Sequence, residues 1–380
     1  LKDPPLSLSA SRNPRIDVLR GVSILAVLLL HFTLTYRLGA SPLATLLGKP
    51  LLRALLINGN FGVTMFFTIS GFLITAMALE RHGSLAAIGI RAFYRRRFAR
   101  ILPCLLVAMA IILLLAARGW PSFSNHRAGM TFSPVAMAVV LGSVLTFWHN
   151  LLMASWGYFN YAVNIYWSLS VEEVFYLGFP LLCALLGRRR WILLLCALAI
   201  LAGPLYRHLH RADEIRYLYG YLACFDAIAM GCGAAILAER FPLAGRTGKV
   251  LQVLALLLVA GTYLRGIDGH VTFSFTLVAL GIAILLLGSG AGSGRIAGSR
   301  ALAWLRWLGR HSYELYLFHI IILGVLRDLL PRARVADAAK LPLLALFLAL
   351  SALAAALVAR FWSEPLNRAL RARSAAEPIP

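Results

Sequence analysis

Acidic side chains are scarce in this sequence: 15 Asp and Glu stand against 37 Lys and Arg in 380 residues, a formal net charge of +22. Charge of either sign is also thin, at 14% of the chain, while 60% is hydrophobic and mean hydropathy is +0.79. Soluble globular domains carry about a quarter charged residues, so that class is excluded. A nucleic-acid binder gathers its cations on one basic face. Here they fall between apolar runs, so no nucleic-acid partner is expected and the excess speaks for orientation in a bilayer. Cysteine is rare too. Cys104, Cys183, Cys196, Cys224 and Cys232 lie in or at the edge of apolar runs with no CxxC pair. That spacing argues against a disulfide framework or a zinc site and leaves them as small packing residues. The polar start, Leu1 to Arg15, lacks the pattern of a signal peptide, so the first apolar run is expected to stay as a helix.

What the sequence has in abundance is long apolar runs. Those long enough to cross a bilayer fall at roughly 16–36, 57–79, 101–117, 134–152, 166–186, 191–206, 217–238, 249–264, 271–289, 311–328 and 341–361. If all eleven cross with a cytoplasmic N-terminus, 18 Lys and Arg lie inside and 19 outside. If 134–152 enters and leaves on the outer side, the count becomes 24 inside against 13 outside. The Arg91–Arg100, Arg188–Arg190, Arg295–Arg310 and Arg368–Arg373 clusters then all face the cytoplasm. The expectation is an all-α polytopic membrane protein of about ten transmembrane helices, both termini cytoplasmic, plus one re-entrant or interfacial segment holding Pro134, Gly142, His149 and Asn150. Residues 1–380 form a single membrane-embedded domain in this reading, with polar termini at 1–14 and 367–380.

Ionisable groups inside a bilayer are costly and are functional candidates by default. Arg20 and His31 lie eleven positions apart in the first run. That is about three turns and about 16 Å of rise, so both face one way, Arg20 near the cytoplasmic face and His31 at or beyond the midplane. In YWSLSVEEVFY, Glu172 and Glu173 stand at least a turn inside the outer boundary. Adjacent helical carboxylates diverge by about 100°, so one is assigned to chemistry and the other to structure. A Glu beside a neutral imidazole would fix its tautomer and stabilise the imidazolium; a Glu that bridges helices is the alternative. Asp226, in ACFDAIAMG, is a third deep acid, read as an interhelical hydrogen bond or ion pair.

The cytoplasmic loop RAFYRRRFARILP, Arg91 to Pro103, is basic as topology alone requires. On a helical turn, however, Arg97 and Arg100 would pair into a clamp suited to phosphate. Ser70 and Gly71 in FFTISGFL let helices approach closely, and in SYELYLFH the residues Ser312, Tyr316 and His319 share one face, to line a cavity or zip two helices. A covalent nucleophile at Ser70, Ser168, Ser170 or a tyrosine stays open, because spacing selects none of them. His126, His208 and His210 fall in outer loops and are read as solvated.

Taken together, RIDVLRGVSILAVLLLH, FFTISGFL, RRFARILP, WSLSVEEVFYLGFPLL, SYELYLFH and the closing WSEPL resemble the acyltransferase 3 family of integral membrane acyltransferases over nearly the whole chain. The resemblance implies transfer of an acyl group, commonly acetyl from acetyl-CoA, to hydroxyls of extracytoplasmic or membrane-associated acceptors, chiefly carbohydrates. It implies that His31 with Glu172 or Glu173 carries catalysis, that Arg20, Arg97 and Arg100 bind the acyl-CoA donor, and that no metal is needed. Where relatives often carry an Arg two positions before Asp226, this chain has Cys224, so no catalytic role is carried to that stretch. Some relatives append a soluble esterase-like domain, whereas here 15 residues follow Pro365, so a second transfer step is expected to need another protein. The setting implied is the cytoplasmic membrane. The alternative reading is a proton-coupled transporter or flippase of a sugar or glycolipid, with the His and Glu as its proton relay.

Overall fold

The computed structural model describes residues 13–125, 137–241, 243, 245–288 and 295–368. His126, Pro134, Arg371, Arg373 and most of the polar termini lie outside the described residues. Among those described there is no strand, and eight helical stretches are long and apolar enough to cross a bilayer. The protein is an all-α polytopic membrane protein.

In chain order, α1 (Pro14–Tyr36), α2 (Asn60–His82), α3 (Ile90–Ala117), α4 (Met137–Leu145), α5 (His149–Trp156) and α6 (Trp167–Leu186) come first. There follow α7 (Arg189–Leu209), α8 (Tyr221–Ala238), α9 (Gly245–Arg265), α10 (Ser274–Leu287), α11 (Ser312–Leu329) and α12 (Lys340–Val358). Two expected spans differ from the eight. Helix α10 has 14 residues, about 21 Å of rise, and α11 carries Glu314, Arg327 and Asp328. The basic stretch Arg91–Pro103 is helix, not loop. No Gly or Pro interrupts it before Pro103, and its Ala, Arg and Leu favour helix.

Residues 137–156 hold two short helices. Helices α4 and α5 have 9 and 8 residues, about 14 and 12 Å of rise, against a hydrocarbon core of about 30 Å. Helices α3 and α11 run parallel: Tyr313, at the start of α11, bonds Ile101 in the first half of α3, and Asp328, at its end, bonds Ser122 just beyond α3. Parallel alignment needs an odd number of crossings between them. The five helices α6–α10 fit that requirement, and a crossing by 137–156 would break it.

The described residues group into two compact units. The first comprises residues up to Leu30, Pro50–Ile88 and Leu181–Arg310. At its centre α8 packs against α2, α7 and α10. Close approach explains the small residues: a Cβ on Gly71 would strike the Ile228 carbonyl, and one on Gly231 the Thr68 carbonyl. Gly231→Val should therefore lower the thermal stability of the detergent-solubilised protein, by about 1–3 kcal/mol. Gly233→Ala, which enters open space, should not; equal unfolding temperatures for the two variants would contradict the packing.

The second unit comprises His31–Lys49, Gly89–Pro180 and residues from His311 onward. Here the closing WSEPL motif ties helices together. Trp362 Nε1 donates to the Pro103 carbonyl at 3.2 Å, and Ser363 Oγ donates to Glu314 at 2.7 Å.

Candidate active site

The second unit brings His31 of α1 against His319 of α11. His31 Nδ1 lies 3.2 Å from His319 Nε2, with ring centroids 5.1 Å apart. His319 is fully buried, and its Nδ1 sits 3.0 and 2.9 Å from the carbonyls of Leu315 and Tyr316. A carbonyl only accepts, so His319 Nδ1 carries the hydrogen. With both rings neutral, His319 Nε2 must then accept from His31 Nδ1–H. The remaining nitrogen of the half-buried His31, Nε2, holds the basic lone pair.

Around this pair the hydroxyls are committed. Tyr316 Oη and Ser168 Oγ lie 2.6 Å apart, and both donate toward the Ile165 carbonyl, at 2.7 and 3.3 Å. Ser170 Oγ accepts the backbone N–H of His149 at 3.1 Å and is fully buried. Neither serine is arranged as an activated nucleophile, which needs a base accepting its proton. His149 Nδ1 lies 2.8 Å from Ser143 Oγ, and burial pulls its imidazole down to about 4, so it stays neutral at physiological pH.

A second cluster lies along α6 and α3. Tyr176 Oη donates to Glu172, one turn before it on α6. The Arg97 guanidinium lies 4.6 Å from the Tyr176 ring centroid and 5.9 Å from that of Phe93, within electrostatic reach of Arg100, Glu172 and Glu173. Tyr94 Oη donates to the Leu177 carbonyl at 2.6 Å, fixing the two helices in register. Glu173 is 3% exposed, and its Oε1 has no hydrogen-bond partner among the described residues.

The expected site residues thus divide. Arg97, Arg100, Glu172 and Glu173 come together, and the imidazole beside His31 is His319. Arg20 is half-buried on α1 within the first unit. Asp226 is an ion-pair partner, its Oδ2 2.7 Å from Arg207 Nη2 and 2.6 Å from Thr276 Oγ1, with Arg207 and Asp226 both buried. Its cation comes from α7, not from two positions upstream, where Cys224 stands. All five cysteines are buried thiols. His210 is less solvated than expected, stacked on Tyr206 with centroids 4.1 Å apart. Among the described residues no group of three His, Cys, Asp or Glu is placed to hold a metal.

Sequence reasoning gave His319 a place on a polar stripe but no partner, and passed over Tyr176. The Glu172–Tyr176 spacing of four residues was the signal available for the second. For the first there was none, since the contact joins positions 288 apart.

Comparison with known proteins places the chain among proteins of related sequence. A family model described as an acyltransferase domain matches residues 13–361. The peptidoglycan O-acetyltransferase OatA of Listeria monocytogenes is 26% identical over 336 residues, covering 82% of this chain and 49% of that protein. The O-acetyltransferase OatA of Staphylococcus aureus is 26% identical over 337 residues, covering 82% and 50%. The chain spans about half the length of the curated relatives it matches. No solved structure matches it. With one family model running from the start of α1 to the end of the last apolar helix, the chain belongs to the acyltransferase 3 family of integral membrane acyltransferases.

Proposed function

We propose that the protein is a membrane O-acyltransferase that moves an acyl group, acetyl in the first instance, from cytosolic acyl-CoA to a hydroxyl of an extracytoplasmic carbohydrate. The observation that carries this reading is the His31–His319 pair. It is a base whose tautomer is set by hydrogen bonds and which stands inside apolar helices of an acyltransferase-family chain. The O-acetylation for which these relatives are named supports the acetyl group and the carbohydrate acceptor.

In this mechanism His31 Nε2 takes the acceptor's hydroxyl proton as its oxygen attacks the thioester carbonyl. The tetrahedral adduct collapses, the C–S bond breaks, and the imidazolium returns the proton to the departing sulfur. The products are an ester and free coenzyme A thiol. His319 holds His31 in the productive tautomer and accepts the hydrogen bond that strengthens as the imidazolium forms. Transfer is direct in this scheme; Tyr316 and Ser168 are hydrogen-bonded to each other and to the Ile165 carbonyl, and Ser170 Oγ accepts the His149 N–H. No metal enters the scheme; positioning, a base and exclusion of water suffice for a nearly balanced exchange of thioester for ester.

Arg97 and Arg100 meet the donor's phosphates, and Glu172, through Tyr176, holds the Arg97 end of that cluster in place. Glu173 serves as the buried structural acid beside it. Arg20 stays a donor-binding cation on the strength of the family resemblance of RIDVLRGVSILAVLLLH, the segment that holds both Arg20 and His31. The excess of cations at the proposed inner ends of the helices supports a cytoplasmic-membrane setting with both termini inside.

The test is turnover in a single compartment. Purified protein in detergent micelles, given acetyl-CoA and an alcohol acceptor, should release thiol and label the acceptor. A transporter needs two compartments, and absence of thiol release with every acceptor class tried would overturn the reading. In the same assay Arg100→Glu should raise the KM for acetyl-CoA about tenfold or more, with a smaller change in kcat. An unchanged donor KM would remove the clamp.

A further inference from the structure

Five cations of the proposed outer side belong to the second unit: Arg37, Arg327, Arg332, Arg334 and Lys340. A bias that keeps cations inside does not put them there. Three of them, Arg37, Arg332 and Lys340, line with Asp337 an open basin of about 630 Å³, within the range of small-ligand sites. The buried Lys340 Nζ lies 2.6 Å from Asp337 Oδ1 and 3.3 Å from the Arg37 carbonyl. It thereby neutralises the one acid and holds Arg37 in a left-handed conformation, φ 52°. The guanidinium groups of Arg37 and Arg332 are exposed and, among the described residues, have no carboxylate partner. The basin therefore keeps a surplus of two positive charges.

Its position relates it to the histidines. Tyr36 Oη donates to the Leu330 carbonyl at 3.1 Å, so α1 and α11 leave the His31–His319 contact in the same direction. Arg37 follows His31 by six residues, about 9 Å along the helix. Between them a polar column continues outward. Thr35, one turn after His31, lies 2.6 Å from Tyr161 Oη, and Arg327 covers the Tyr161 ring at 4.7 Å.

We infer that this basin binds an anionic group of the acceptor glycan, a carboxylate or phosphate, and so delivers a hydroxyl of that molecule down the column to His31. The inference rests on the acyl-transfer reading for the second half of that sentence only; anion binding stands on the basin itself.

The test uses the full chain in nanodiscs without acyl donor, and two probes that differ only in a carboxylate: methyl glucuronoside and methyl glucoside. By saturation-transfer NMR at low salt the glucuronoside should bind about tenfold tighter, the worth of one charge-assisted hydrogen bond. The preference should shrink as salt is raised. Arg332→Glu, at an exposed loop position, should bring the two probes within about twofold, and Arg332→Gln should fall between. Equal binding of the probes to the unaltered protein would overturn the basin assignment, as would a preference that survives Arg332→Glu. A glucuronoside preference without any thioester discharge would leave the basin standing and overturn the transferase reading; discharge without the preference would do the reverse.

Discussion

His31→Ala should lower the turnover of acyl transfer by about 100- to 10,000-fold while leaving acetyl-CoA affinity unchanged, the range expected for loss of a general base. The side chain is half-buried at a helix–helix contact, so its removal opens a small polar gap rather than a core cavity. The unfolding temperature in detergent should therefore move little. Titration calorimetry with acetyl-CoA and a thiol-release assay on the same preparation separate the two effects. If the Ala variant kept even a tenth of the turnover, the proton would have to leave by another route. If donor binding fell instead, His31 would be a donor contact and not the base.

His319→Ala should cost kcat about 100-fold with the KM for donor and acceptor nearly unchanged, because His319 touches His31 and not the reacting atoms. Without it, His31 Nδ1–H has no acceptor fixed by the α11 backbone, and the ring is free to present the wrong nitrogen. His319→Gln offers a side-chain carbonyl near the same place and should recover part of the loss. A packing role alone predicts something different: Ala and Gln variants equally impaired, with a matching fall in thermal stability. Full activity in the Ala variant would remove His319 from the mechanism.

How far the sequence could be followed depends on the range of the interaction. Helix existence was legible, because apolar length is a local property, and even α10, short as it is, stands where its run predicted. Helix ends were not. The apolar run of α7 stops near Tyr206, but the backbone continues to Leu209 and so carries Arg207, the buried partner of Asp226, on the helix. In the same way the charge of RAFYRRRFARILP marked a loop where helix propensity carries α3 straight through. The Arg97–Arg100 pair was legible because three-residue spacing on a helix is itself a geometric statement. The partner of His31 was not, because nothing in α1 encodes which later helix runs beside it. Glu172 and Glu173 are offered as partners of His31 by their depth in an apolar run; the geometry groups them with Arg97, with Glu172 also within electrostatic reach of Tyr316 beside His319.

The central claim is a direct, base-assisted passage of the acyl group from coenzyme A to the acceptor, and a single-turnover experiment tests it most closely. Protein in excess over acetyl-labelled acetyl-CoA is mixed with acceptor, quenched in acid over a time course, and the label is followed among donor, protein and acceptor. The account predicts that label passes from donor to acceptor, that thiol release requires the acceptor, and that protein never carries acid-stable label. A labelled protein intermediate that forms before the acceptor product, or label that never leaves the donor, would contradict it.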